Sequence, residues 1–491
     1  MVLNFRAVIK VLGILTLIEG LFMLPALLVA MIFEEWASAS AFLTTALVCI
    51  SIGFVILTQL RFDKIVLKAR EGYFIATISW IYCSLIGTIP IYFCGPDLPL
   101  IGCFFEAVAG FTTTGCSVMD ISILPNSILF WRALTHWLGG MGILVLLITI
   151  FPLWGINNKS IALAETPGTN TSNLGTNYTR IGSFLYKTYF ILSALEYTLL
   201  VIGPMDWFNA IITACSSMST AGLIIKPEYA WMYEIEYVRG IVILFTILST
   251  MNFTTYLLIV NKKWHEVLHN IEVRVFFTII AIATLLVAFS LRISGVYSNL
   301  WQAIKDGLCQ VISFISTSGF YVCDYTHWPS FTVTILILLL FIGGCSYSTS
   351  GSLKVFRVAV LYKFVKRGIL KQVHPNIVKA VMLDDRTPVS AKVASAISIH
   401  TLLYFATLLL GCILLSFNNF DMETTFTTAL GIFTNTGISL GIPGNSGFYG
   451  MFSNFSQLSM CFLMIAGRLE MYALIIVFTK SFWQPDKTTT I

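Results

Sequence analysis

Apolar residues run through this chain in long stretches, near 7–33, 38–60, 73–93, 127–153, 183–203, 238–260, 273–293, 330–364, 393–416 and 455–479. Each is long enough for a helix to cross a hydrocarbon layer, which takes about 20 residues. Four shorter segments, 100–111, 206–218, 300–315 and 421–433, fall between these spans and are too short to cross, so they read as re-entrant half-helices. Each runs into a string of small polar residues ending in glycine: Thr112-Thr113-Thr114-Gly115, Ser219-Thr220-Ala221-Gly222, Ser316-Thr317-Ser318-Gly319 and Thr434-Asn435-Thr436-Gly437. The pattern predicts an all-α polytopic membrane protein with ten transmembrane helices. An extra N-terminal helix pair, residues 1–70, precedes four pseudo-repeats of helix, half-helix, loop and helix. The repeats fall at 71–160, at 161–264 with a leading cytoplasmic loop, at 265–385 and at 386–491.

Composition agrees. Apolar residues make up 57% of the 491 and charged residues 11%, against about 25% charge in ordinary globular domains. The N-terminal run, up to Phe33, is too long for a signal-peptide core and reads as a retained helix. The 11 cysteines form no CxxC pair and read as small buried hydrophobes. Basic residues divide unequally between the two sides. One side takes Arg6, Lys10, the 61–70 turn, the 154–187 loop, the 261–274 turn, the 354–392 segment and the tail; the other takes Arg132, Lys226, Arg239, Arg292 and Lys305. By the positive-inside rule the first side is cytoplasmic, with both termini inside. The four glycine strings then lie in outward-facing connections. The basic 354–392 segment is suited to anionic membrane lipid, and a net charge of +5 gives no reason to expect a nucleic-acid partner.

Irregular backbone at bilayer depth is tolerated only where it is buried in protein or lines a watery cavity. Four such loops from four repeats can close a ring. A dehydrated cation needs several oxygen ligands at once, and backbone carbonyls supply them without fixed charge. Glycine permits the required backbone angles, hydroxyls add ligands, and half-helix C-termini aimed at the centre add partial negative charge. The strings hold no Asp, Glu, Lys or Arg. They read as an ion-selectivity filter, unequal at Ala221 and Asn435.

The span from Pro329 is apolar through Ile342, then reads Gly343-Gly344-Cys345-Ser346-Tyr347-Ser348-Thr349-Ser350-Gly351-Ser352. Its first half covers roughly 20 Å of a hydrocarbon core of roughly 30 Å, placing a break inside the membrane. A cytoplasmic loop beginning early is the other reading. Arg468 lies within the last span, where a lone cation is expensive and is functional or paired. Glu470 does not share its helix face. His136-Trp137-Leu138-Gly139-Gly140-Met141-Gly142 suits tight helix packing better than metal binding. His265 and His269, at i and i+4, lack a third ligand.

Gly110-Phe111-Thr112-Thr113-Thr114-Gly115, the 136–142 string, Ala164-Glu165-Thr166-Pro167-Gly168, Gly343-Gly344-Cys345 with Ser350-Gly351, and Gly467-Arg468-Leu469-Glu470 together resemble the bacterial TrkH, TrkG and KtrB potassium-uptake family over nearly the whole length. The extra N-terminal pair is similar to its TrkH branch. The resemblance implies potassium as the transported ligand. It implies ion ligands at each string's glycine and just before it: Thr113, Thr114, Gly115, Thr220, Ala221, Gly222, Thr317, Ser318, Gly319, Asn435, Thr436 and Gly437. It implies a gating loop below the filter, with Gly343, Gly344, Cys345, Ser346 and Gly351. Arg468 then acts as an electrostatic barrier in the permeation path or as a latch for that loop, a structural interhelical pair being the other reading. It also implies a homodimer in the bacterial inner membrane and a cytosolic nucleotide-binding regulatory ring of the TrkA type. No organic cofactor is expected in this chain. Gly139-Gly140-Met141-Gly142 is membrane-embedded and follows no strand, so it is no nucleotide fingerprint.

Two other functions compete. A proton- or sodium-coupled potassium or sodium symporter would want intramembrane carboxylates, for which Glu19, Glu106 and Glu196 are the candidates. A membrane enzyme would need a clustered acid, base, nucleophile or metal set, and the sequence offers none.

Overall fold

The computed structural model describes residues 3–60, 65–66, 69–94, 98–142, 156–157, 178–222, 226–320, 325, 327–374, 381–382, 388–389, 391–444 and 447–483. Helices α1 (Phe5–Ile32) and α2 (Trp36–Gln59) form the N-terminal pair. They approach closely because Gly13 and Gly20 of one and Gly53 of the other leave room for Ile56, Cys49 and Leu17.

The first unit is α3 (Ala69–Cys94), the half-helix α4 (Leu100–Phe111) and α5 (Asn126–Gly140). The second is α6 (Tyr178–Ile202), half-helix α7 (Trp207–Met218), α8 (Glu236–Thr250) and α9 (Phe253–Val260). After the short α10 (Trp264–His269), the third unit is α11 (Ile271–Ile293), half-helix α12 (Leu300–Ile315), α13 (Ser330–Ile342) and α14 (Val355–Val373). The fourth is α15 (Ala391–Leu415), half-helix α16 (Met422–Phe433), α17 (Asn454–Arg468) and α18 (Tyr472–Phe478).

Two departures from the sequence reading matter. The runs 238–260 and 455–479, expected as single helices, are broken, with bends of 92° between α8 and α9 and 116° between α17 and α18. In the first, the Asn252 side chain accepts from the Thr254 N–H at 2.9 Å and restarts the helix. In the second, Glu470 and Met471 both take positive φ, which helix propagation forbids. The run 127–153 is helical to Gly140, and 143–153 lies outside the described residues. Among the described residues, six helices are individually long and apolar enough to span, and the two bent pairs bring this to eight. The other two of the ten expected spans correspond to α5, whose expected continuation at 143–153 lies outside the described residues, and α13, cut short by the expected break. A two-residue parallel pair, Ile65–Val66 with Ile156–Asn157, is a small addition to the all-helical plan.

The units pack cyclically. At three of the four junctions the helix after a glycine string leans on the next unit's half-helix, α5 on α7, α8 on α12 and α17 back on α4. Where the third and fourth units meet, a cavity of about 590 Å³ opens, lined by Trp328, Val333, Ile337, Phe426 and Leu440 among others.

Candidate functional site

Every half-helix ends in the same turn. The second string residue, Thr113, Thr220, Thr317 or Asn435, is left-handed, with φ of 58°, 54°, 57° and 57°. The third residue's N–H then reaches back to a helix carbonyl: Thr114 to Ala109 at 3.0 Å, Ala221 to Ser216 at 2.9 Å, Ser318 to Ser313 at 3.1 Å, Thr436 to Gly431 at 2.8 Å. This is a Schellman C-cap, whose left-handed position glycine or asparagine normally fills. Asn435 fits it; a β-branched threonine there is an outlier, and such strain gathers at functional sites. Asn435 therefore answers a backbone requirement rather than spoiling a pattern.

The fourth position closes the ring. Gly115, Gly222, Gly319 and Gly437 all take positive φ. A Cβ on Gly115 would fall on the Ala221 carbonyl oxygen, on Gly222 within 2.7 Å of Ser318 O, on Gly319 against Thr436 O, and on Gly437 against Thr114 O. Each glycine thus abuts the third-position carbonyl of the next unit, in the order one, two, three, four, one. No side chain fits between neighbouring strings, and the string residues ahead of the glycines are fully buried.

Hydroxyls brace the strings from within. Thr112 meets Thr114 at 2.9 Å, Ser316 meets Ser318 at 2.8 Å, and Thr434 meets Thr436 at 2.8 Å. Ala221 removes this brace from the second string, where Ser219 donates to Ser216 O instead. The Asn435 amide donates to Thr114 Oγ1 at 3.1 Å and to Met464 O at 2.9 Å, tying the fourth string to the first.

Three of the four half-helices begin with polar caps, Asp206, Asn299 and Asp421, which match their N-terminal dipole ends, whereas α4 begins after Pro99 with no side-chain cap; the C-terminal ends of all four meet at the ring. The Thr424 hydroxyl and N–H, both donating to Asp421, hold its exposed carboxyl below the usual range.

The break at 343–354 lies against two of the strings. Gly351 N–H donates to Thr317 Oγ1 at 2.7 Å, and a Cβ on Gly351 would strike the Thr434 carbonyl. Gly343, with φ 71°, turns the chain back so that Gly351 O lies 2.6 Å from its would-be Cβ. The loop is held at several points. Cys345 N–H donates to Thr250 O at 3.1 Å, Thr349 N–H to Ser249 O at 3.3 Å, and Ser346 N–H to Glu272 Oε1 at 2.5 Å. Val355 N–H donates to Gly344 O at 2.9 Å, closing the loop on itself. Lys354 donates to the Ser350 carbonyl.

Arg468 bridges this loop to the first unit, donating to Thr349 O at 2.7 Å, Gly139 O at 2.6 Å and Gly140 O at 2.5 Å. Glu470 pairs not with Arg468 but with Arg357 of α14. The glycines of the 136–142 string pack tightly: a Cβ on Gly139 would strike Phe111 O, and one on Gly140 would lie 2.7 Å from the Tyr189 hydroxyl. Sequence reasoning missed Glu272 and Lys354 as loop anchors, since nothing in a charged turn distinguishes either. His265 and His269 stack at 3.9 Å on α10, away from this site. Among the described residues, no three His, Cys, Asp or Glu side chains converge on a position that could hold a metal ion.

The family model described as cation transport protein, TrkH, matches residues 38–488. The Trk system potassium uptake protein TrkH of Escherichia coli K12 is 28% identical over 494 residues, covering 98% of this chain and all of that one. TrkG of the same organism is 30% identical over 489 residues, covering 98% and 99%. The crystal structure of the potassium transporter TrkH from Vibrio parahaemolyticus superposes with a TM-score of 0.87 at 26% identity, covering 98% of this chain and all of that one.

Proposed function

The chain belongs to the TrkH family of cation transport proteins, and from that premise we propose how it works. It is a membrane transporter that takes up potassium, not an enzyme. Potassium crosses through the ring made by the four strings, ligated by Thr113, Thr114, Gly115, Thr220, Ala221, Gly222, Thr317, Ser318, Gly319, Asn435, Thr436 and Gly437. The observation that carries this reading is the cyclic fit of each filter glycine against the next string's carbonyl. Dehydrated ions gain from oxygens held at fixed separation, and a ring that tight resists collapse onto a smaller ion.

Flow is governed below the ring by Gly343, Gly344, Cys345, Ser346 and Gly351 of the broken segment, with Arg468 as the latch. Its hydrogen bond to Thr349 O supports the latch over a purely structural pair. The protein works in the bacterial inner membrane with both termini cytoplasmic, as a homodimer docked on a TrkA-type nucleotide-binding ring. The four repeats and the N-terminal pair are its folding units. Proton-coupled symport loses one of its candidate carboxylates, because Glu106 is paired with Arg132 at 3.1 Å.

The test is rubidium or potassium uptake in a strain lacking its own uptake systems, comparing the parent with Gly115→Ser and Gly437→Ser. Both variants lose uptake or discrimination. Parent-like behaviour in both would remove the filter assignment.

A further inference from the structure

Behind the first string sits a buried charge pair for which the transport reading has no use so far. Glu106, on the half-helix α4, and Arg132, on α5, are each only 1% exposed and lie 3.1 Å apart. The other carboxylate oxygen of Glu106 takes three donors at once, Ser117 Oγ at 2.7 Å, Val118 N–H at 2.7 Å and Met119 N–H at 3.1 Å. Arg132 reaches Cys116 O at 3.4 Å. The pair therefore grips the chain immediately after Gly115, residue by residue.

The grip passes on to the ring. Ser117 N–H donates to Gly447 O at 2.9 Å, and Ser117 O accepts from Tyr449 N–H at 2.7 Å. The Tyr449 hydroxyl in turn donates to the carbonyl of the fourth filter glycine, Gly437, at 3.2 Å. One carboxylate thus fixes the exit of the first string and, through two short links, a carbonyl of the fourth. At the same offset from their glycines the other units carry uncharged Thr213, Gln310 and Thr428. Thr428 makes the equivalent contact, meeting Ser439 Oγ at 3.0 Å, by a single neutral hydrogen bond. A carboxylate that accepts backbone N–H groups while paired to a guanidinium is a stiffer post than a hydroxyl, since charge-assisted hydrogen bonds are the stronger kind.

We propose that Glu106, held by Arg132, is a positioning residue that sets ion selectivity by fixing the spacing of the ring between its first and fourth strings. The proposal rests on the filter reading. It is tested by rubidium uptake with sodium as competitor in cells carrying the full chain, for the parent, Glu106→Gln, Glu106→Gln/Arg132→Gln and Gly437→Ser. Glu106→Gln keeps the shape and loses the charge, and leaves Arg132 buried without its partner, which itself costs stability. The double variant buries no unpaired charge. Discrimination is a ratio, independent of how much protein reaches the membrane.

In both Glu106 variants the rubidium-over-sodium ratio falls about tenfold, as expected where a charge-assisted contact is lost, while the maximal rubidium rate per inserted molecule stays near the parent's. A role confined to folding would lower protein amount and leave the ratio untouched. That result in either variant, with Gly437→Ser defective, overturns the positioning role alone. Parent-like behaviour of Gly437→Ser as well overturns the filter reading beneath it.

Discussion

The ring's glycines are not equally intolerant, and the inequality can be measured. Gly115 and Gly222 have similar backbone angles, φ 74° and 83°. Replacement of either by alanine therefore carries the same left-handed cost, about 1–2 kcal/mol. What differs is the space beyond. At Gly222 the added methyl lies 2.7 Å from Ser318 O, so that carbonyl must yield but stays beside its original place. At Gly115 it lands on Ala221 O itself, and the carbonyl must leave its place altogether. Losing one oxygen from an ion's shell resembles losing a hydrogen bond to a charged group, about 1.5–3 kcal/mol, which is roughly 10- to 100-fold in affinity. Gly115→Ala should thus raise the half-saturating rubidium concentration by that factor and admit sodium. Gly222→Ala carries the same backbone cost but keeps its oxygen, and should change it by a smaller factor than Gly115→Ala does. The assay is rubidium uptake against a sodium series, with membrane protein quantified for each variant. Equal damage from both, or greater damage from Gly222→Ala, would refute the reasoning from ring geometry.

Control below the ring gives two further expectations. Arg468→Gln loses the charge-assisted bond to Thr349 O, about 1.5–3 kcal/mol, so uptake by the isolated chain in liposomes rises roughly 10- to 100-fold with selectivity kept; lower flux would count against a latch. Deleting residues 345–350 raises flux further, and a pore still closed would sink the gate. Ala221→Ser supplies the hydroxyl brace that the other three strings possess and preserves uptake, with melting in detergent unchanged or raised by a few degrees, for a gain of about 1 kcal/mol. A lost pore in that variant would show that the second string requires the missing oxygen.

The strings and half-helices were legible because their signals are local. An apolar dozen followed by hydroxyls and glycine states both a short helix and its stop, whereas Asn435, which reads in the sequence as an inequality, marks the left-handed position only once the backbone is seen. The broken segment at 343–352 was legible for the same reason. The breaks at Met251–Asn252 and at Leu469–Met471 were not, because the apolar run continues across them and hydropathy carries no record of a capping side chain. The partners of Arg468 were out of reach too. They are backbone carbonyls of Gly139, Gly140 and Thr349, hundreds of residues away or on another unit, and a carbonyl leaves no mark in the sequence. Glu106 was noticed only as a carboxylate in the wrong place. Its role needed Arg132 and the chain after Gly115 to be seen beside it.

The four units share one plan as far as the points where their helices stop, and the gate proposed above lies where the third unit departs from the second and fourth. The helix after each string stops at a similar stage: α5 at Gly140, α8 at Thr250, α13 at Ile342, α17 at Arg468. In the second and fourth units the chain restarts almost at once, at Phe253 and Tyr472. In the third it does not restart until Val355, and the added length carries Gly351 up to Thr317 and Thr434. A ring must be nearly symmetric to present oxygens at one radius, but a plug needs only one unit to be long. The stops in the other units then serve the long one: Thr250 O receives Cys345 N–H, Ser249 O receives Thr349 N–H, and Gly139 and Gly140 anchor the arginine that holds Thr349. Broken helix ends expose carbonyls that no helix can satisfy, and here the loop and Arg468 satisfy them only while the loop is in place. If the loop is the gate proposed above, opening would strand those carbonyls unless water enters, and the breaks that make room for the loop also hold it in place.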